Sequence, residues 1–180
     1  QGKGFLTEFN LYTLLRFASI QTTIGFAQMV ALSAGEMNLS VGAIGGVVAM
    51  FAGGLMEVLG VPPLLAAVLA VSLGAVAGLI NGLLITRTGI NSFIITLATS
   101  SIFTGLMLIT TRADGFDALP DSFTILGRVR TFGIAISPLV WVMLAAAVLL
   151  FLLYNNTAFG REILAVGANR RAAQMSGLRV

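Results

Sequence analysis

The sequence predicts an all-α fold, a polytopic bundle of transmembrane helices, and three observations carry that reading. Of its 180 residues 57% are hydrophobic and only 9% are charged, against about 25% charged in soluble globular domains, and the mean hydropathy is +0.99. The apolar residues fall in long runs divided by short polar breaks, and about 20 residues of helix cross a bilayer core of about 30 Å. Runs such as Val140–Leu153 do not alternate apolar with polar residues, as the strands of a spanning barrel do. A helix pairs its own backbone groups, which lipid demands of any spanning segment.

This gives about five spans. The first, Leu11–Ala34, is apolar apart from Arg16 and a few amides and hydroxyls, and stops at Gly35-Glu36-Met37-Asn38. The second, Leu39–Met56, ends at Glu57. Both are short for a crossing, so a re-entrant or broken helix around 35–38 is the competing reading. Pro62-Pro63 opens the third run, Leu64–Ile85, because proline's missing N–H would be unpaired at a helix start anyway. Arg87-Thr88-Gly89 closes it, and Asn91-Ser92 begins a fourth that reaches Ile109. Residues 111–130 read as a polar loop with Asp114, Asp117, Pro120, Asp121 and Gly127. Ile134–Tyr154 is the last long run, ended by Asn155-Asn156, and a tail with Arg161, Glu162, Arg170, Arg171 and Arg179 follows.

The same composition excludes whole classes of function. A net charge of +3 without a Lys/Arg stripe does not describe a nucleic-acid binder. With no cysteine and no histidine there is no disulfide framework, no Cys/His zinc site, no thiol nucleophile and no His-based triad. No catalytic residue and no metal ligand is therefore assigned. The tail has four arginines against one acid, whereas residues 111–130 hold three arginines and three aspartates. Positive charge favours the cytoplasmic side. That puts residues 157–180 and Arg87 inside, the 111–130 loop and Glu57 outside, and Glu36 inside.

Four groups of residues are candidates for function. Ala66, Ala70, Gly74, Gly78 and Gly82 recur every fourth position, a ridge that admits close helix packing within the bundle or between subunits. Thr96, Ser100 and Thr104 share one helix face, where hydroxyls either line a polar path for a sugar-like solute or bond back to their own helix. Glu36, Asn38 and Ser40 sit at a helix break. An acid near membrane depth is a functional candidate, and the plainer alternative is a helix cap. In the tail, Asn169 is an N-cap, Arg170–Ser176 make about two helical turns, and Gly177 closes them in the left-handed conformation. Such a basic, Ala-rich helix either lies on anionic lipid or docks into a partner.

Four stretches in order then resemble the permease subunit of bacterial ATP-binding-cassette sugar importers, the ribose/xylose/galactoside class of the branched binding-protein-dependent permease family. Leu14-Leu15-Arg16-Phe17-Ala18-Ser19-Ile20 looks like the opening of that family's second span. Gly35-Glu36-Met37-Asn38-Leu39-Ser40-Val41-Gly42 resembles its G-I-D-L-S-V-G turn. Gly82-Leu83-Leu84-Ile85 with Asn91-Ser92-Phe93-Ile94-Ile95-Thr96-Leu97-Ala98-Thr99 resembles N-G-L-L followed by P-F-I-x-T-L-G-T. The tail from Phe159 to Gly177 resembles F-G-R-x-x-x-A-x-G-x-N-x-x-A-A-x-x-S-G.

The resemblance implies a single incomplete permease domain over 1–180, the N-terminal half, with a first span before it and a second half after it. It implies that 157–180 is the cytoplasmic coupling loop and that Asn169, Arg170, Arg171, Ala172, Ala173 and Gly177 engage a separate ATPase subunit, which would use ATP and magnesium. No cofactor is implied in this subunit. Implied partners are that ATPase, a second permease copy in a homodimer, a periplasmic sugar-binding protein and the lipid of the inner membrane, with no nucleic acid. Asn38 stands where the class carries Asp, Glu36 where it carries Gly, and Arg171 where the general importer motif carries Glu, so the partner surface there is expected to be more acidic. The implied function is translocation of a monosaccharide or related polar solute. The alternative is a secondary transporter or channel, which would need ionisable relays or a filter motif that the spans lack.

Overall fold

The computed structural model describes residues 7–128 and 136–178, so the predicted start of the last span at Ile134, Arg130 in the polar loop, and Arg179 in the tail lie outside the described residues. Among the described residues there are eight helices and no strand: α1 (Glu8–Ser33), α2 (Val41–Glu57), α3 (Pro63–Thr88), α4 (Ser92–Thr111), α5 (Asp121–Arg128), α6 (Pro138–Asn156), α7 (Ala158–Ala168) and α8 (Arg170–Met175). The chain is all-α. Helices stand at each of the five expected spans, but only α3, α4 and α6 are both long and apolar enough to cross a membrane. The 17-residue α2 is short, and Arg16, Gln21, Thr22, Thr23 and Gln28 dilute the apolarity of α1.

The helix ends follow local chemistry. Thr7 caps α1, accepting from Asn10 N at 3.3 Å. Pro62 and Pro63 open α3 and Gly89, at φ 66°, closes it in the left-handed region, which glycine enters without a Cβ clash. Asn91 Oδ1 accepts from Phe93 N at 2.8 Å to start α4. Ser137 and Pro138 start α6. Thr157 both ends α6 and starts α7, donating to Leu153 O at 2.6 Å and accepting from Gly160 N at 3.0 Å.

Two elements differ from the sequence expectation. The polar stretch 111–130 contains α5, which starts after Pro120 with Asp121 in its first turn, where a carboxylate suits the helix dipole. The tail carries α7 ahead of the expected short helix. A single hydroxyl, that of Thr157, sets its start.

The chain divides into two compact units, one of 1–36 with 125–180 and one of 37–124. In the first, α1 packs on α6, α7 folds back on both, and α8 packs on α7. The turn between α6 and α7 is tight: a Cβ on Gly160 would lie 2.7 Å from Tyr154 Cα. In the second, α2 packs on both α3 and α4, and α3 meets α4. Its apolar core is Met56, Ala66, Ala70, Ala77 and Ile95. Phe116 reaches back from the loop after α4 onto Gly53 and Gly54 of α2, and Glu57 Oε2 accepts from Ala118 N at 2.9 Å. Large apolar side chains face outward along α3, α4 and α6, among them Leu64, Val71, Ile109 and Leu149, a surface suited to lipid or to other apolar protein and not to water.

The small-residue ridge divides along α3. Ala66 and Ala70 are buried, and a Cβ on Gly74 would lie 3.2 Å from Val48 Cγ2 of α2, whereas Gly78 and Gly82 face open space. Ala70→Leu should therefore overpack the α2–α3 seam and cost about 1–3 kcal/mol. Gly78→Ala should gain about 0.5–1 kcal/mol of helix stability. Thermal denaturation of the detergent-solubilised protein should rank them in that order.

Candidate functional site

The candidate residues at the break after α1 do not stand as a row of free polar groups. α1 ends in a left-handed glycine closure: Gly35, at φ +81°, donates to Leu32 O at 2.9 Å, and Glu36 N donates to Ala31 O at 3.1 Å. Both N–H groups satisfy orphan carbonyls of the last turn. The half-buried Glu36 thus takes part through its backbone in ending α1.

Residues 37–40 follow in non-helical conformation, and the N–H groups of Met37, Leu39 and Ser40 are paired by side chains. Met37 N donates to Ser92 Oγ at 3.1 Å, and Leu39 N donates to Thr96 Oγ1 at 3.1 Å. Ser40 N and Ser40 Oγ both donate to Asn38 Oδ1, at 2.9 and 2.7 Å. Asn81 Nδ2 of α3 donates to Ser40 Oγ at 2.7 Å. Thr96 Oγ1 donates to Ser92 O at 2.7 Å. Five polar side chains, Asn38, Ser40, Asn81, Ser92 and Thr96, therefore form one knot that carries an irregular segment across the first turns of α4 and the last third of α3. Irregular backbone is tolerated at membrane depth only where protein or a water-lined cavity supplies such partners.

The knot is largely buried. Ser40, Asn81, Ser92 and Thr96 are all buried, and Asn81 Oδ1 has no hydrogen-bond partner among the described residues. A buried acceptor left in that state costs about 1–3 kcal/mol. Of the candidate solute-path residues, the structure brings Asn38, Ser40 and Thr96 together. Ser100 is half-buried and Thr104 exposed, further along α4, outside the knot. Asn81 and Ser92 belong to the constellation although sequence reasoning did not single them out. The signal for Asn81 was a lone amide in the apolar run between Pro63 and Ile85.

An apolar cleft of about 420 Å³ opens between α2 and α4 under Phe116, with Val47, Phe51, Leu55 and Met107 in its wall. Its two hydroxyls are bound to their own helix, Thr110 Oγ1 to Leu106 O at 2.8 Å and Thr111 Oγ1 to Met107 O at 2.9 Å. It offers no polar group to a hydroxylated solute.

The tail is a second candidate site. Asn169 Oδ1 accepts from Ala172 N at 3.0 Å and so starts α8. Gly177, at φ +83°, donates to Gln174 O at 3.0 Å, and Leu178 N donates to Ala173 O at 3.1 Å, the same closure that ends α1. Ala173 is buried, whereas Arg170, Arg171 and Ala172 are exposed. Met175, 85% exposed, adds an apolar tip to this basic face and was not anticipated from sequence. Among the described residues no group of three acidic side chains gathers to hold a metal ion.

Comparison with known proteins gives a consistent result. The family described as "Branched-chain amino acid transport system / permease component" matches residues 10–180. The chain is 39% identical to the ribose import permease protein of Bacillus subtilis over 179 residues, covering 98% of this chain and 55% of that protein. It is 34% identical to the D-allose transport system permease protein of Escherichia coli (98% and 53% covered) and 36% identical to the L-arabinose ABC transporter permease protein of Azospirillum brasilense (98% and 51% covered). The chain thus spans about half the length of the curated relatives it matches. No solved structure matches it.

The hydrogen-bond pattern predicts an order of mutational cost. Thr96→Val would orphan the Leu39 N–H and should destabilise by about 1–3 kcal/mol. Thr104→Val, on the exposed side of the same helix, should stay within about 0.5 kcal/mol of wild type. Equal shifts in melting temperature for the two variants would contradict the knot.

Proposed function

The chain belongs to the branched-chain amino acid transport system / permease component family, and from that premise we propose that it forms part of the membrane-spanning permease of an ATP-driven importer for a monosaccharide. The observation that carries this reading is the similarity, over nearly the whole chain, to permeases of ribose, allose and arabinose systems. All three solutes are small, neutral and polyhydroxylated. The outward apolar faces of α3, α4 and α6 suit such a protein.

In this reading the protein lies in the bacterial inner membrane with residues 157–180 in the cytoplasm, in keeping with the tail's arginine excess. Two permease copies form the path, and a periplasmic sugar-binding protein delivers the solute to the outer face. An ATPase subunit binds and hydrolyses ATP with magnesium, so the permease itself performs no bond chemistry. ATP binding changes the ATPase surface that grips α8, and the membrane helices repack between an outward-open and an inward-open arrangement. A grip that favoured both arrangements equally would shift nothing.

Asn169, Arg170, Arg171, Ala172, Ala173 and Gly177 have distinct tasks in this docking. Asn169 and Gly177 fix the two ends of α8, Ala173 seats it on α7, and Arg170 and Arg171 offer charge-assisted hydrogen bonds to carboxylates of the ATPase. Ala172 keeps the approach close, and Met175 supplies an apolar anchor. Of the candidate solute-path hydroxyls of α4, Ser100 and Thr104 are outside the knot and able to meet a solute.

The full-length parent should co-purify with its ATPase, and Arg170→Glu with Arg171→Glu should reduce that co-purification by about tenfold or more, as expected for losing buried charged partners. Gly177→Val should weaken it in the same direction by straining the left-handed closure. Unchanged co-purification in both variants would remove α8 from the interface. Uptake of ribose, allose and arabinose into proteoliposomes with the cognate binding protein identifies the solute. Import without ATP would favour a secondary transporter.

A further inference from the structure

α7 crosses the C-terminal end of α1 at backbone distance. A Cβ placed on Gly35 would lie 3.2 Å from Gly167 O and 3.3 Å from Gly167 Cα. A Cβ placed on Gly167 would lie 2.9 Å from both Gly35 N and the Ser33 carbonyl carbon. Neither glycine can acquire a side chain without displacing main chain, so the contact has no side-chain slack. The same end of α1 is tied to α6 by the 2.5 Å hydrogen bond between Ser33 Oγ and Tyr154 Oη. The last turn of α1 is thus held from two sides, by α7 through glycine and by α6 through a hydroxyl pair.

We infer that Gly167, packed on Ser33 and Gly35, is the positioning residue through which movement of the tail reaches the 37–40 segment. The inference rests on the reading of α8 as the ATPase-docking element. α7 ends at Ala168 and α8 begins at Arg170, so a pull on α8 acts next to Gly167. A packed backbone contact transmits displacement because interiors are close-packed and resist compression. Gly35 and Glu36 are locked into the α1 closure, and Met37 is the next residue along the chain. Its N–H and that of Leu39 are the ones held by Ser92 and Thr96, and Ser40 is held by Asn81. Displacement at Gly167 is thereby delivered, through the covalent chain, to the segment whose hydrogen bonds are made by side chains of α3 and α4. These are bonds that can exchange partners, unlike the backbone ladder of a helix. The buried Asn81 Oδ1 has no partner among the described residues, so moving this segment breaks no bond at that atom.

The test uses the full-length parent with its ATPase and binding protein in proteoliposomes, reading three quantities: ATPase co-purification, ATP hydrolysis, and uptake of a ribose, allose and arabinose panel. Gly167→Ala should leave co-purification and hydrolysis near wild type and reduce uptake by about tenfold, within the range of measured coupling factors. Tyr154→Phe removes the hydroxyl pair but keeps the ring, and should reduce uptake by about threefold. Adding Ser33→Ala to it should reduce uptake little further, because the bond to α6 is already gone and the other bond of Ser33 Oγ, to Val30 O at 2.8 Å, stays within α1. If Gly167→Ala fails to accumulate in the membrane, the Tyr154→Phe and Ser33→Ala cycle decides the matter by the same criteria. Wild-type uptake in these variants with the ATPase still bound would overturn the inference and leave the docking reading intact. Unchanged co-purification in both the Arg170→Glu with Arg171→Glu variant and the Gly177→Val variant would instead overturn the docking reading, whatever the Gly167 variant did.

Discussion

A helix that stops among apolar neighbours must find partners for the backbone groups it frees, and each group left unpaired costs several kcal/mol in a lipid-like medium. The break at residues 34–40 is organised by that requirement. On one side α1 closes on itself, with Gly35 in the left-handed region and two N–H groups returned to its last turn. On the other side the chain has no helix to return to, so hydroxyls of α4 and the side-chain carbonyl of Asn38 take over, and Asn81 holds the Ser40 hydroxyl. The consequence for function is direct. Thr96 accepts from Leu39 and donates to Ser92. A hydroxyl already committed in both directions is a poor ligand for a sugar, whatever its helix face suggests.

Glycine does two separate jobs in this chain. At Gly53, Gly54, Gly160 and Gly167 it lets another group approach: Phe116 in the first two cases and backbone in the others. At Gly35, Gly89 and Gly177 it supplies a left-handed closure. The same residue type along one face of α3 does neither throughout, because Gly74 is covered and Gly78 and Gly82 are open. An i, i+4 ridge drifts around the helix, since four residues overshoot a turn of 3.6. Over the length from Ala66 to Gly82 it passes from the buried side to the exposed one.

What was legible in the sequence was whatever is decided within a few residues. Pro62-Pro63 with Gly89 bracket α3, and Asn91 and Asn169 sit where their side chains cap α4 and α8. The all-α class followed from composition and from apolar runs that are long and do not alternate. What was not legible depends on partners distant in sequence. Asn81 bonds to Ser40 and Ser92 bonds to Met37, 41 and 55 positions away, and no local pattern announces either pairing. α7 was hidden because Gly160 and Gly167 lower its helix propensity. Both are required by contacts with Tyr154 and Ser33 that only the folded chain displays. α5 was missed because its polar composition reads as loop, while Pro120 and Asp121 fix its start.

In the proposed importer, transmission and switching place opposite demands on the permease, and the inferred route would separate them along a few residues. The contact of Gly167 with Ser33 and Gly35 is backbone on backbone, with little freedom to rearrange. Residues 37–40 are held by side-chain hydrogen bonds worth about 0.5–1.5 kcal/mol each net, with one buried carbonyl unsatisfied. Swinging a two-state equilibrium from 1:99 to 99:1 takes about 5.5 kcal/mol. A rearrangement that gave the unsatisfied Asn81 carbonyl a partner would recover about 1–3 kcal/mol, less than that requirement. The remainder has to come from outside the membrane unit, and in the proposed importer the ATPase is its source.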